Sequence, residues 1–264
     1  MFEELSSGVF RRRYPFLRSN VGVIVGEAGV LLIDTRESHE AADTLIDELR
    51  HLTSKPVRWI LNTHWHWDHV FGNARFPGAA IWGHRRCRTV LRDFPDQHRE
   101  DARKWMPPER FGEIERVRIV PPDGTFEAVA SIDIGGRKLE AAYHGRGHTD
   151  ADIVIHCGGV TFMGDLVEEG EPPKMGDSHP LDWPATLEAA RTTIRPVVVP
   201  GHGGLLTPGD VAEQHHVLAE VAKRIRQILH EDRPANDAIR NAPIPESDMH
   251  QALGRARRLW RSTG

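Results

Sequence analysis

One short run, His-Trp-His-Trp-Asp-His at residues 64–69, constrains this chain more than any other feature of its sequence. It places four side chains that can bind a metal ion within six residues, namely His64, His66, Asp68 and His69. Alternate residues of an extended segment point the same way, so His64 and His66 can bind one ion together. Imidazole combined with carboxylate suits zinc, and also iron or manganese. The run therefore predicts a metal centre.

Three further candidate ligands each follow a glycine. They occur in the pairs Gly147-His148, Gly164-Asp165 and Gly201-His202. Glycine allows a close approach of the backbone or a positive φ, both of which suit a loop that carries a ligand. Each pair alone is weak evidence, because Gly-His is common in ordinary turns. Their occurrence together with the run at 64–69 predicts that all these residues share one site.

The hydrophobic pattern predicts alternating strands and helices, and hence a layered α/β fold. Strands are predicted at residues 21–26, 30–34, 57–61, 125–134, 138–143, 152–156, 160–163 and 197–199. Helices are predicted at 38–52, over much of 84–116, at 184–195 and along the tail 208–260, with tail breaks at Pro234, Pro243 and Pro245. His64, His148 and His202 then follow strands, where layered α/β folds carry their ligands.

Composition and charge exclude several classes of protein. A formal net charge of -4 gives no reason to expect nucleic-acid binding. The longest apolar tract, residues 21–33, is interrupted by three glycines and Glu27, so no membrane span of about 20 apolar residues is expected. The N-terminus lacks a basic start followed by an apolar stretch, so no secretory signal is expected. Cys87 and Cys157 are far apart in sequence and predict reduced thiols, so we expect a cytoplasmic protein.

The order His-x-His-x-Asp-His, Gly-His-Thr, Gly-Asp and Pro-Gly-His-Gly resembles the metallo-β-lactamase superfamily. The resemblance covers about residues 18–205 and includes Ser19-Asn20 and the strand end Ile33-Asp34-Thr35. It implies an α/β (α+β) fold, specifically a four-layer αββα sandwich, with a C-terminal helical extension. We expect residues 1–207 to form that fold and residues 208–264 to pack on the same domain as helices.

The same resemblance implies the ligand assignment. His64, His66 and His148 would hold a first metal ion, whereas Asp68, His69 and His202 would hold a second. Asp165 would bridge the two. The implied cofactor is a pair of zinc ions, with iron or manganese as alternatives. Asp34 is expected either to orient a ligand or to serve as an ordinary turn residue at its strand end.

The implied reaction is hydrolysis by a water activated by the two metal ions, with Asp68 orienting that water. The zinc β-lactamases with a cysteine ligand carry it where this chain has Asp165. An aspartate there resembles the glyoxalase II-like, lactonase-like and phosphodiesterase-like branches. The expected substrate is therefore a small molecule with an ester-like bond, such as a thioester or lactone.

Several alternatives stay open. One is an oxidoreductase of the persulfide dioxygenase type with a single iron, and another is a hydrolase of β-lactams or phosphodiesters. A non-catalytic relative that binds a metal or a partner is the third. The oligomeric state is undetermined by the sequence. Whether His84 or His179 faces the metals is also open, and Trp65 and Trp67 are expected to point away into packing.

Overall fold

The structure is a computed structural model that describes residues 1–230 and 235–261. Its strands within these ranges, numbered β1 to β12 in chain order, are Glu3–Ser6, Val9–Arg13, Asn20–Val25, Val30–Ile33, Val57–Leu61, Ala80–His84, Gly124–Phe126, Val129–Asp133, Lys138–Tyr143, Ile153–Cys157, Val160–Gly164 and Val197–Pro200. Its helices α1 to α9 are His39–Leu52, Trp67–Val70, Arg85–Asp93, Pro95–Trp105, Phe111–Arg116, Trp183–Arg191, Pro208–His230, Ala235–Arg240 and Glu246–Arg261. Short 3-10 turns lie at Phe16–Arg18, Asn73–Arg75 and Pro108–Arg110.

The strands form two sheets. The first has the order β1-β2-β3-β4-β5-β6-β7, antiparallel from β1 to β4 and parallel from β4 to β7. The second has the order β12-β11-β10-β9-β8, in which β11 and β12 are parallel and the other pairs antiparallel. Both sheets have parallel strands followed by loops at one edge, which is where layered folds place ligands.

Alternating side chains divide the core into layers. On β4, Leu31 and Ile33 pack between the sheets, whereas Val30 and Leu32 pack on the opposite face against α1. On the second sheet, Ile155 faces the first sheet and Val154 faces the helices α6, α7 and α9. The molecule is therefore the predicted αββα sandwich, with helices on both outer faces of two stacked sheets.

Helix α1 shows how local sequence sets these layers. The hydroxyl of Ser38 accepts a hydrogen bond from the backbone N–H of Ala41 at 3.1 Å and so caps the helix. Ala42, Leu45 and Leu49 form its buried face at helical spacing. Pro56, just beyond its end, precedes β5, so α1 leads directly to the strand that carries the run at 64–69.

One predicted strand divides in two. Residues 125–134 were expected to form a single strand, but Gly124–Phe126 pairs with β6 in the first sheet and Val129–Asp133 pairs with β9 in the second. The chain crosses between the sheets at residues 127–128. Continuous hydrophobic alternation does not show such a crossing, because both halves keep a strand-like period of two.

The C-terminal helices α7, α8 and α9 pack on the second sheet. They share a hydrophobic cluster with α6 and that sheet, which includes Leu187, Leu218, Val221 and Leu253. A division at residue 207 stays a prediction. The predicted break at Pro234 lies outside the described residues, whereas Pro243 and Pro245 do separate α8 from α9. None of the helices in the described ranges combines the length and apolar character that a membrane span requires.

Candidate metal centre

Loops that follow strands bring the candidate ligands together. His64 follows β5, Asp165 follows β11 and His202 follows β12, while His148 lies in the loop between β9 and β10. The backbone N–H of Ile153 donates to the carbonyl of Thr63 at 2.9 Å and joins the two sheets at this edge. The site therefore lies where the ends of both sheets meet.

The first group of ligand atoms belongs to His64, His66, His148 and Asp165, whose donor atoms all lie within 4.8 Å of one another. Nδ1 of His66 is 2.8 Å from Nε2 of His148. Oδ2 of Asp165 is 3.4 Å from Nε2 of His148 and 3.7 Å from Nε2 of His64. Three imidazole nitrogens thus converge on one carboxylate, in an arrangement that could hold a metal ion.

The second group consists of Asp68, His69 and His202. Nε2 of His69 is 3.2 Å from Nε2 of His202, and Oδ2 of Asp68 is 3.2 Å from the same His202 atom. Asp165 also reaches this group, because its two oxygens lie 3.3 Å from Nε2 of His69 and 3.3 Å from Nε2 of His202. Asp165 therefore lies between the two groups.

The donor set fits metal ions. Two ligands on one zinc ion in tetrahedral geometry, each about 2.0 to 2.1 Å from it, lie about 3.3 Å apart, close to the separations around His202. Within the described part of the chain, Nε2 of His64 and Oδ1 of Asp165 are buried without a hydrogen-bond partner. Buried polar atoms ordinarily have partners, so two such atoms without a partner at this position fit a site that binds a metal ion.

The charges at the site require compensation. Burial lowers the pKa of His64 and lowers that of His148 to about 3, which favours the neutral rings that bind metals. Burial is the largest single effect on His69 and His202 and would lower the pKa of each, but the neighbouring carboxylates, Asp165 foremost, together raise both pKa values well above the usual value. The buried carboxylates thus need positive charge beside them, which protonated imidazoles or cations can supply.

Hydrogen bonds behind the ligands fix which ring nitrogen faces inward. Oδ2 of Asp34 accepts a hydrogen bond from Nδ1 of His69 at 2.8 Å, and Asp34 also accepts bonds from the backbone N–H and hydroxyl of Thr63, both at 2.8 Å. Nδ1 of His202 donates to the carbonyl of Leu17 at 2.8 Å. Such partners orient metal-binding imidazoles. Of the two roles expected for Asp34, its contacts favour the orienting one.

The structure explains why glycine precedes two of the candidate ligands. A Cβ built on Gly201 would lie 1.8 Å from Oδ1 of Asp165, so only glycine lets this backbone approach the shared carboxylate. Gly164 has a φ of +51° and lies against Thr63, where a Cβ would be 2.8 Å from that residue's Cβ. These positions therefore need glycine for close approach and for a left-handed backbone, respectively.

The sequence did not predict two carboxylates that lie at the site. Oδ2 of Asp177 lies 3.2 Å from Nε2 of His66, on the same loop as the singled-out His179. Asp152 accepts hydrogen bonds from the backbone N–H of Thr149 at 2.8 Å and from its hydroxyl at 2.7 Å, which fixes the loop of His148. Burial raises the pKa of Asp152 to about 7. Asp152, three residues after Thr149, has the spacing of a turn acceptor, whereas no local signal marks Asp177.

The other histidines and aromatic residues have local roles. His84 accepts a hydrogen bond from the backbone N–H of Arg86 at 3.4 Å, caps α3, and stacks on Tyr143 with ring centroids 4.0 Å apart. Trp67 is buried in packing, as expected. Trp65 is only partly buried, and its indole N–H donates to Asp150 at 3.1 Å. It stays beside the site, because its ring centroid lies 4.4 Å from that of His66.

The sequence was compared with known protein families. The sequence profile described as "Metallo-beta-lactamase superfamily" matches residues 14–202, well over half of the chain.

The chain belongs to the metallo-beta-lactamase superfamily.

Curated relatives within this superfamily are distant. The chain is 26% identical over 192 residues to "Metallo-beta-lactamase type 2" from Bacillus sp. (strain 170), a match that covers 70% of this chain but 66% of that protein. It is 24% identical over 192 residues to the protein of the same name from Bacillus cereus, covering 70% and 67% respectively. The chain therefore spans about two thirds of the length of these relatives.

A solved superfamily structure supports the fold. The metallo-beta-lactamase from Pontibacter korlensis is 20% identical, with a TM-score of 0.67 over 83% of this chain and 98% of that one. At this identity the likeness concerns the fold alone. The candidate ligands of the present chain all lie within the part that the superfamily profile matches.

Proposed function

We propose that this member of the superfamily is a metal-dependent hydrolase that uses two zinc ions to cleave an ester-like bond, such as a thioester or lactone, in a small molecule. One observation carries the proposal. Two groups of ligand atoms, each compact enough for one ion, are joined by the carboxylate of Asp165.

The ligand roles follow from these groups. His64, His66 and His148 would hold the first ion, and the second group would hold the other, with Asp165 shared between them. Bound zinc ions polarise the bond under attack and lower the pKa of water, so that hydrolysis can proceed near neutral pH. Iron or manganese are alternatives for the same donor set.

The residues of the chain orient the reactants. Asp68 is 8% exposed, and its Oδ2 lies at the edge of the second group beside His202. Its carboxylate can accept a hydrogen bond from the attacking water and receive the proton that this water releases. Asp34 and Asp177 hold His69 and His66 in fixed orientations, which keeps the site assembled before substrate binds.

The substrate class rests on Asp165. Where the zinc β-lactamases that this chain resembles carry a cysteine ligand, it has an aspartate, which supports the glyoxalase II-like and lactonase-like branches. A β-lactam hydrolase is the second candidate, because the curated relatives are named metallo-beta-lactamases. Hydrolysis rates for matched thioesters, lactones and β-lactams distinguish the two.

The test combines metal analysis with activity. We expect purified protein to contain two zinc ions per chain and to hydrolyse at least one thioester or lactone, and the His66→Ala variant to lose activity and one ion. The matched control is His51→Ala, since His51 is exposed on α1. Full activity and metal content in a folded His66→Ala variant would refute the assignment. One iron per chain with oxygen consumption would favour the oxidoreductase instead.

A further inference from the structure

Helix α9, Glu246–Arg261, lies outside the part of the chain that the superfamily profile matches. Its buried residues Met249, Ala252, Leu253 and Ala256 recur at helical spacing and form one apolar face. That face packs in the hydrophobic cluster that α6, α7 and the second sheet share. The backbone of α9 is therefore held firmly against the domain, and the side chains beside this face start from fixed positions.

The turn that carries Asp177 rests on this helix. Met175 is fully buried in the same cluster as the apolar face of α9. The hydroxyl of Ser178 donates to the carbonyl of Met175 at 3.1 Å, which closes a compact turn. A Cβ built on Gly176 would lie 3.9 Å from Oε1 of Gln251, so the turn and the helix are in close contact.

One peptide unit of the turn is held at both ends. The carbonyl of Ser178 accepts a hydrogen bond from Nε of Arg255 at 3.0 Å. The N–H of the same peptide unit belongs to His179, and it donates to the carbonyl of Gly147 at 2.8 Å. Gly147 directly precedes the candidate ligand His148. Arg255 thus connects α9, through a single peptide unit, to a loop that carries a ligand.

This peptide unit directly follows Asp177 and so affects where its side chain lies. The side chain of Asp177 is 39% exposed, and its Oδ2 lies 3.2 Å from Nε2 of His66. A carboxylate on an exposed loop can orient an imidazole only while its own backbone is fixed. Without the bond from Arg255, the carbonyl of Ser178 loses this partner and the turn is free to move.

We propose that Arg255 is a positioning residue of the metal centre, which holds the carbonyl of Ser178 so that Asp177 keeps His66 oriented toward the first metal ion. The inference rests on the metal-dependent site proposed above. Arg255 contacts none of the candidate ligands and acts through the turn alone. Its effect on zinc binding should therefore depend on Asp177, because that carboxylate is the group that contacts His66.

The test is a double-mutant cycle in zinc affinity, measured by competition with a chromophoric chelator. Arg255→Met keeps the apolar stem but removes the donor, so we expect zinc to bind about 3- to 10-fold more weakly, less than for loss of an orienting partner itself. In the Asp177→Asn background, the same change should alter zinc affinity by less than about 2-fold. Arg257→Met, on an exposed arginine of the same helix, is the matched control and should leave the affinity unaltered.

Arg255→Gln separates the hydrogen bond from the charge. The amide Nε2 of glutamine lies where arginine has Nε, so it can donate to the carbonyl of Ser178 without carrying a charge. We expect Arg255→Gln to keep zinc affinity within about 2-fold of the wild type. Binding as weak as that of Arg255→Met would overturn the inference.

Two other results would overturn it as well. One is equal weakening of zinc binding by Arg255→Met with and without Asp177, since Arg255 would then act by another route. The other is a folded Arg255→Met variant with unchanged zinc affinity and a lower free energy of unfolding in urea, which would mean that Arg255 only supports the fold.

Hydrogen exchange gives a second measurement that needs no change at Arg255. Coupling between two sites is reciprocal, so a contact that strengthens zinc binding is itself strengthened by zinc. In the wild-type protein we expect zinc to slow amide exchange in α9. In Asp177→Asn saturated with zinc, α9 should be slowed much less, whereas α1, the internal reference, should be slowed in both proteins. Equal slowing of α9 in both proteins would contradict the inference.

The outcomes separate this inference from the proposed hydrolase, because neither zinc affinity nor hydrogen exchange requires turnover. If Arg255 acts through Asp177 but no ester, thioester, lactone or β-lactam is hydrolysed, the hydrolase proposal fails and the inference stands. If the protein hydrolyses such a substrate but the two variants weaken zinc binding independently, the inference fails and the hydrolase proposal stands. A wild-type protein that binds no zinc would overturn both.

Discussion

Oδ2 of Asp177 lies 3.2 Å from Nε2 of His66, and that contact turns the other nitrogen of the ring, Nδ1, toward His148. The hydrogen bond with His66 lowers the pKa of the Asp177 carboxyl group below its usual value. An imidazole held in this way presents a fixed lone pair to a metal ion, and its partner carboxylate increases its basicity.

Replacing the Asp177 carboxylate should weaken zinc binding by the first group of ligands. We expect Asp177→Asn to lower zinc affinity by about 10- to 100-fold, because an amide orients the ring but carries no charge. Competition with a chromophoric chelator measures the change. Asp96→Asn, on an acid whose side chain is 92% exposed, is the control and should leave affinity unaltered. Unchanged zinc affinity in Asp177→Asn would show that the contact is incidental.

Gly201 offers a steric test of the shared carboxylate. In Gly201→Ala the new methyl group would displace the side chain of Asp165, since its Cβ would lie 1.8 Å from Oδ1. We expect loss of at least one bound ion and of most hydrolytic activity, measured by elemental analysis and kinetics. Gly159→Ala is the matched control, because nothing lies within 4 Å of a Cβ built there. Full metal content in Gly201→Ala would argue against Asp165 as a ligand.

Metal removal should destabilise the fold. The buried carboxylates of Asp68 and Asp165 need positive charge beside them, and an ion that binds only the folded state stabilises it by mass action. At a free zinc concentration about 100 times the Kd, we expect the free energy of unfolding to rise by about 2.7 kcal/mol over chelated protein. Urea titrations measure this difference. Magnesium should add much less, because imidazole suits it poorly, and an equal effect of both ions would contradict the assignment.

His98 predicts a dependence of stability on pH. Burial, and then the charge of His66, lower its pKa to about 4, while its Nε2 lies 3.4 Å from the carbonyl of Val90. The unfolded chain binds a proton at this residue near pH 6.5, so between about pH 4 and 6.5 the unfolded state binds more protons than the folded state. The contribution of His98 to the free energy of unfolding should therefore be constant above pH 6.5 and should fall as the pH decreases toward 4.

The measurement is the free energy of unfolding in urea at several pH values, with chelator present. In the wild-type protein, the full pKa difference of His98 should decrease the free energy of unfolding by about 3 kcal/mol at low pH, and His98→Leu should not show this decrease. His51→Leu replaces an exposed histidine and should keep the wild-type slope. An identical slope in wild type and His98→Leu would refute the prediction.

Local sequence predicted most elements because each carries its own pattern. Helix α1 has a capping Ser38 and an apolar face at helical spacing, and β4 is a continuous apolar run bounded by turns. The division of residues 125–134 between two sheets was missed, since pairing partners distant in sequence decide it. Trp65 packs against the cluster that contains Trp67, as expected, but only in part.

Residue types and their spacing were enough to predict the kinds of candidate ligand, their order along the chain and the glycines that precede three of them. Those features are local, because residue type fixes donor chemistry and glycine fixes backbone freedom. The folded arrangement of the two sheets was needed to show that Asp165 lies between two groups and that Asp177 contacts His66. These relations join loops from different strands, and a distance between such loops depends on how the two sheets stack.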